Sequence, residues 1–120
     1  LNIKLPVPKR GEVWLANFDP TLGAEIKKIR HAIVVSPDGV GKLPIKLIAP
    51  ITDWKEYFIN DIWHIKIEPD DINGLTKVSA VDVLQLRGID VQRFIRKIGF
   101  VSPLIMAEIV IAIAAIVEYK

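Results

Sequence analysis

Cysteine is absent from the 120 residues. That excludes a disulfide framework, a thiolate metal centre and a cysteine nucleophile, and makes a reducing cytoplasm the simple setting. Histidine is scarce as well. His31 and His64 are the only two, and neither has a His or Cys partner at metal-ligand spacing. A carboxylate-only magnesium site at Asp70 and Asp71 stands against a solvated turn after Pro69, and the turn is preferred. Neither a metal nor a cofactor is expected. The small glycine cluster Gly39-Val40-Gly41-Lys42 lacks the spacing and the following Ser or Thr of a phosphate loop, so it reads as a hairpin turn. No strong charge of either sign is present: 16 Lys and Arg against 14 Asp and Glu leave +2. Such a sum does not mark a nucleic-acid binder, and any case for one rests on clustered cations. The first ten residues carry Lys4, Pro6, Pro8, Lys9 and Arg10 instead of a signal-peptide core, an expectation against secretion. The apolar stretch near the C-terminus is shorter than the roughly 20 residues of a membrane span and contains Glu108, so insertion is not expected.

What is present suits one domain over residues 1–120, since domains most often run about 100 to 150 residues and no repeat or linker interrupts this chain. Residues 11–18, 31–36, 45–52, 63–68 and 78–86 read as strands, each bounded by Pro, Gly or Asp signals, and 63–68 alternates with period two. Five short strands predict a mainly β, α+β domain: a twisted antiparallel sheet curled into a small, partly open barrel. Asp90 then reads as the cap of a short helix, with Val91, Phe94, Ile95 and Ile98 on one side, Gln92, Arg93, Arg96 and Lys97 on the other, and Gly99 as its stop. Ser102-Pro103 opens a terminal helix that runs to Tyr119. It is apolar nearly all round, which predicts one face on the chain's own sheet and the other on a second subunit.

Function should lie where charge interrupts this apolar pattern. Between the first two strands sits a loop with Asp19, Glu25, Lys27, Lys28 and Arg30; a second basic group runs from Arg93 to Lys97. Taken alone, each is equally a solvated face. The segments Arg10-Gly11-Glu12-Val13-Trp14, Phe18-Asp19-Pro20-Thr21 and Gly23-Ala24-Glu25, followed by Ala49-Pro50-Ile51-Thr52 and by Leu86 to Arg93, carry a further signal. Together they resemble the MazF/PemK family, the endoribonuclease toxins of bacterial toxin-antitoxin systems, over residues 9–119.

That resemblance implies the PemK/CcdB-like, SH3-like barrel with its C-terminal helix, and a homodimer. It also implies metal-independent, sequence-selective cleavage of single-stranded mRNA to a cyclic phosphate and a 5′-hydroxyl, and a cognate antitoxin in a prokaryotic cytoplasm. Arg30 matches the family's catalytic arginine, whose forked donors clamp the scissile phosphate. Thr52 matches the second catalytic position, a hydroxyl that holds a phosphate oxygen. Glu25 matches the family's glutamate and is assigned to orient Arg30 or serve as a base. His31 stands where the family usually has proline, adding a group that titrates near neutrality and can assist as acid or base; Ile26 stands where it usually has glutamine. Lys27, Lys28, Trp54, Gln85 and Arg87 are the RNA-binding candidates, Trp54 by stacking on bases. Arg87 can instead pair with Asp90, and Trp14 and Trp63 are assigned to the core. Two alternatives stand beside this reading: a toxin that acts by protein contact, as the related CcdB toxins do on a topoisomerase, and a degenerate member that binds RNA or antitoxin without cutting.

Overall fold

Short runs rich in Val, Ile, Ala and Trp build the sheet. In the computed structural model, which describes residues 6–39 and 43–119, β1 (Glu12–Asn17) pairs antiparallel with β2 (Ile29–Val34), from Val13 opposite Ile33 to Asn17 opposite Ile29. The hairpin turn expected over residues 39–42 falls, beyond Gly39, outside the described residues. β3 (Ile45–Asp53) returns beside β2, with Ala32 opposite Pro50 and Val34 opposite Ile48. Its far end, Ile51 to Asp53, pairs instead with β5 (Ser79–Asp82), which pairs in turn with β4 (His64–Ile67). Pro50 has no N–H to give a ladder and stands where β3 changes partners. The strand order is β4-β5-β3-β2-β1-β7, with β6 (Arg87–Asp90) also on β3 and β7 (Phe94–Phe100) on β1.

The barrel with a terminal helix is as expected, but it has seven strands where five were read. The segment read as one strand over 78–86 ends at Asp82, whose Oδ1 accepts the Leu84 N–H at 3.0 Å and starts a 3-10 turn, Val83–Gln85. From Ile51 opposite Val81 to Ile48 opposite Arg87, β3 advances three residues while its partner edge advances six. The turn takes up that difference, and β6 resumes along the same edge.

The helix expected from Asp90 to Ile98 is not formed. Asp90 does cap, accepting the Gln92 N–H at 2.8 Å, but over a 3-10 turn, Val91–Arg93, after which the chain runs extended as β7. Gly99 does not stop a helix; a Cβ there would lie 2.3 Å from the Ile72 carbonyl oxygen, so it is the glycine of a close backbone crossing.

Period-two alternation sorts the sheet into two faces. Val13, Ile33, Ala49, Ile51 and Val81 form the main core with Ile109 and Ala112 of α1 (Pro103–Ile116). Trp14, Ala16, Phe18, Ala32, Val34 and Ile48 face the other way, onto Ile89, Val91 and Phe94. The helix starts as its sequence predicts: Ser102 Oγ accepts the Ile105 N–H at 3.3 Å and Pro103 follows, where a missing N–H costs nothing. Fourteen residues span about 21 Å, well under the hydrocarbon thickness of a bilayer. Among the described residues no helix is long and apolar enough to cross a membrane.

Glu12 ties β1 to β7. Burial pushes its carboxyl upward, but Lys97 Nζ at 2.8 Å, Trp14 Nε1 at 2.9 Å and the Lys9 N–H at 2.8 Å outweigh it and hold the group below its ordinary value.

Candidate functional site

The loop between β1 and β2 is built by its own polar side chains. The Phe18 N–H donates to the Lys28 carbonyl at 2.8 Å and closes the base. Asp19 Oδ1 accepts the Lys28 N–H at 2.9 Å, and Lys28 takes φ +68 there to turn the chain into β2. Glu25 Oε1 accepts the Leu22 N–H at 2.6 Å, folding the loop's tip onto itself. Lys27 and Lys28 are left exposed.

Arg30 is exposed near the start of β2, with Nε 3.4 Å from the Lys27 carbonyl. The β2–β3 register continued two residues past Ala32 and Pro50 sets Arg30 opposite Thr52, where the two strands stop pairing. Alternation turns both toward the face that carries Ala32 and Pro50. A guanidinium and a hydroxyl thus share one sheet face just past the last paired residues of the two strands. The ion pairs among the described residues join His64 to Asp61 and Asp82, Lys66 to Glu68 and Lys97 to Glu12, and none of them holds Arg30. The orienting ion pair expected from Glu25 is therefore not present; that carboxylate is occupied by its own loop.

His31 points the opposite way from Arg30, beside Leu15, and Leu15 stands opposite Arg96 of β7. Burial, then the Arg96 guanidinium, hold the imidazole below its ordinary value near 6.5, so it is neutral at pH 7. Arg96 was visible in the sequence only as part of a basic cluster placed on a helix; the strand puts it in line with His31. Arg30 and His31 nonetheless line one cleft of about 350 Å³, together with Asp53, Lys77 and Ser79.

A second cleft, of about 640 Å³, collects other candidates. Glu25 and Ile26 line one side, Gln85 and Arg87 the other, with Phe18 and Pro50 between. Thr52 follows Pro50 on the same strand face, roughly 7 Å along. Arg87 does not pair with Asp90; its Nη1 donates to the Phe18 carbonyl at 3.3 Å and its guanidinium lies 5.9 Å from the Phe18 ring centre. Gln85 has both polar ends engaged, with Ile26 and Asp82. Arg93, assigned no role beforehand, braces the loop by donating to the Asn17 and Asp19 carbonyls. Trp54 lies two residues beyond Thr52 but is half-buried, edge-on to Phe58 at 5.7 Å, with Lys66 Nζ 5.2 Å from its ring centre. Its Nε1 is buried without a hydrogen-bond partner among the described residues.

The metal alternative has little to work with: Asp70 Oδ1 accepts the Ile72 and Asn73 N–H groups at 2.9 and 2.8 Å, a turn of the expected kind. Among the described residues no three His, Asp or Glu side chains are grouped so that they could hold a metal ion.

Residues 9–117 match the family model described as PemK-like, MazF-like toxin of type II toxin-antitoxin system. The chain is 31% identical over 105 residues to the endoribonuclease MazF of Staphylococcus epidermidis, covering 84% of this chain and 83% of that one. It is 27% identical over 113 residues to the endoribonuclease toxin ChpB of Escherichia coli K12, covering 92% and 94%. In fold it is similar to MazF from Deinococcus radiodurans, with a TM-score of 0.76 at 22% identity over 94% of this chain and 98% of that one. It is also similar to a mycobacterial endoribonuclease solved with its cognate antitoxin, TM-score 0.75 at 17% identity over 94% and 97%.

Proposed function

The chain belongs to the PemK-like, MazF-like toxins of type II toxin-antitoxin systems, and on that premise we propose that it is an endoribonuclease that cuts single-stranded RNA in the cytoplasm of a prokaryotic cell. The observation that carries the reading is the β2–β3 register, which continued two residues past Ala32 and Pro50 sets Arg30 across from Thr52, with the guanidinium exposed and outside every ion pair among the described residues. A guanidinium that no carboxylate neutralises keeps its charge for a phosphate.

Cleavage requires the ribose 2′-hydroxyl to attack the adjacent phosphorus while the 5′-oxygen leaves, giving a cyclic phosphate and a 5′-hydroxyl. Arg30 stabilises the charge that develops on the phosphoryl oxygens, and Thr52 holds one of them in place. His31 alternates with Arg30 along β2, yet both border the smaller cleft, where the neutral imidazole is available as a proton acceptor. Glu25 acts through the loop's shape. Lys27 and Lys28 hold flanking phosphates, Arg87 and Gln85 border the groove for bases beside Thr52, and Trp54 lies at its far end.

A cognate antitoxin blocks the same groove, and a second copy of the chain covers the outer face of α1. The test is incubation of a long unstructured RNA with the wild type and Arg30→Ala in excess EDTA, with analysis of the new ends. Cutting by the wild type alone, with 5′-hydroxyl ends, is expected; a folded wild type that cuts nothing overturns the reading.

A further inference from the structure

The Gln85 side chain spans the larger cleft. Its Oε1 accepts the Ile26 N–H at 2.6 Å on one side, and its Nε2 donates to Asp82 Oδ2 at 3.0 Å on the other. The amide can sit only one way round, because a backbone N–H needs an oxygen and a carboxylate needs an N–H. Asp82 is itself fixed. It is 6% exposed, gives its second oxygen to the Leu84 N–H, and stands directly opposite His64, whose Nε2 is 3.7 Å from Oδ2. His64 in turn donates Nδ1–H to Asp61 at 3.0 Å and stacks on Phe58 at 3.7 Å between ring centres. A chain of contacts therefore runs from the start of β4, through the wall of the barrel, to the tip of the basic loop.

From Leu22 to Ile26 the loop's other hydrogen bonds close on the loop itself. The bond from Ile26 to Gln85 is, among the described residues, the one hydrogen bond that ties this stretch to the rest of the fold, and it acts beside the packing of the Ile26 side chain on the cluster of Trp14, Phe18 and Phe94. Lys27 follows directly, so the placement of Ile26 sets where Lys27 presents its charge, while Lys28 is held separately by Asp19 and Phe18.

We propose that Gln85, seated by Asp82, is a positioning residue that latches the basic loop across the cleft and thereby sets how tightly the chain holds single-stranded RNA. The proposal rests on the ribonuclease reading above. Arg30 and Thr52 are held on β2 and β3 by strand pairing and do not depend on the latch. Its loss therefore weakens binding and leaves the bond-breaking step alone.

The test reverses the polarity of the latch. Gln85→Glu keeps an oxygen for Ile26 but sets a second carboxylate against Asp82. Adding Asp82→Asn turns the pair around: the new amide at position 82 donates to the new carboxylate at 85, and its oxygen still serves Leu84. Hydrogen exchange of the Ile26 amide, KM and kcat on a long unstructured RNA, and anisotropy with a labelled single-stranded RNA are measured for each. Gln85→Glu is expected to speed exchange at Ile26 and to raise KM and the RNA dissociation constant by about tenfold, with kcat within twofold. The double variant is expected to bring all three back toward wild type. Gln85→Met, which keeps the length and removes both polar ends, is expected to behave as Gln85→Glu does.

Unchanged exchange at Ile26 in both single variants would overturn the latch, as would fast exchange with unchanged KM, which would make the bond merely structural. A double variant no better than Gln85→Glu would equally overturn it. If the wild type cut no RNA, the ribonuclease reading would fail, while exchange and anisotropy would still decide the latch.

Discussion

Helix α1 presents two apolar sides, and replacing Ile111 by Glu asks what the outer one is for. Ile105, Ile109, Ala112 and Ile116 recur at four, three and four residues and face the sheet; Ile109 is fully buried. Leu104 and Ile111, seven residues apart, lie on the outer side at 70% and 68% exposure, with Ala107 between them. Fully burying an isoleucine contributes about 1.5 to 3 kcal/mol, so covering the exposed two-thirds of Ile111 is worth about 1 to 2 kcal/mol. A two-fold dimer counts each residue twice. Ile111→Glu should therefore weaken a dimer built on this face by about 2 to 4 kcal/mol, roughly 30- to 700-fold in its dissociation constant, before any cost of burying the new charge. Sedimentation velocity across a concentration series gives that constant directly. The monomer should not notice: at concentrations where both proteins are monomeric, urea unfolding of Ile111→Glu should match wild type within about 0.5 kcal/mol. Ile109→Ala, two residues away on the inner side, should cost about 2 to 5 kcal/mol. A dimer constant unchanged within threefold in Ile111→Glu would refute the reasoning and place the second copy elsewhere.

Three further outcomes are expected. Because burial and Arg96 lower the His31 pKa in the folded chain, the unfolded chain takes up the proton first as pH falls below about 6.5. The stability His31 contributes is therefore complete above that pH and lost as pH falls through the folded value. The urea midpoint should drop more between pH 7 and 5 in wild type than in His31→Gln, and Arg96→Ala should raise the His31 pKa in an NMR titration. Trp54→Phe removes a buried indole N–H that has no partner among the described residues. Leaving such a donor unsatisfied costs about 1 to 3 kcal/mol, which offsets the smaller ring's lost packing, so the urea midpoint should stay level or rise; a loss above about 1 kcal/mol would show that the ring's contacts with Phe58 and Lys66 dominate.

The strand over 63–68 was legible in the sequence because period two is written directly in the order of its side chains, and residues 11–18, buried on both faces, were legible as a short apolar run between turn signals. The segment from Asp90 to Ile98 was misread for a physical reason. β7 carries two irregularities against β1: Val13 opposes Gly99 and Trp14 opposes Lys97, then Leu15 opposes Arg96 and Ala16 opposes Phe94. Ile98 and Ile95 are the extra residues at these bulges, and each bulge breaks the alternation. What results is an apolar spacing of three, one and three from Val91 to Ile98, which imitates a helix. Arg30 and Thr52 were recognisable from local motifs. The bond between Gln85 and Ile26 was not, because hydrogen-bond partners 59 residues apart leave no trace in a single sequence.

The pairing of β1 with β7 joins Glu12 to Phe100, 88 residues further on. A contact between such distant segments carries a large loop-closure cost and tends to form late, which slows folding. During synthesis the outer edge of β1 stays open until nearly the whole chain has emerged. A polypeptide that ends before residue 94 keeps β1 as an unprotected edge strand, a template for aggregation. Covering β1 thus makes synthesis of β7 a condition of the fold, and a message cut short before the codon for Phe94 yields a chain without that cover.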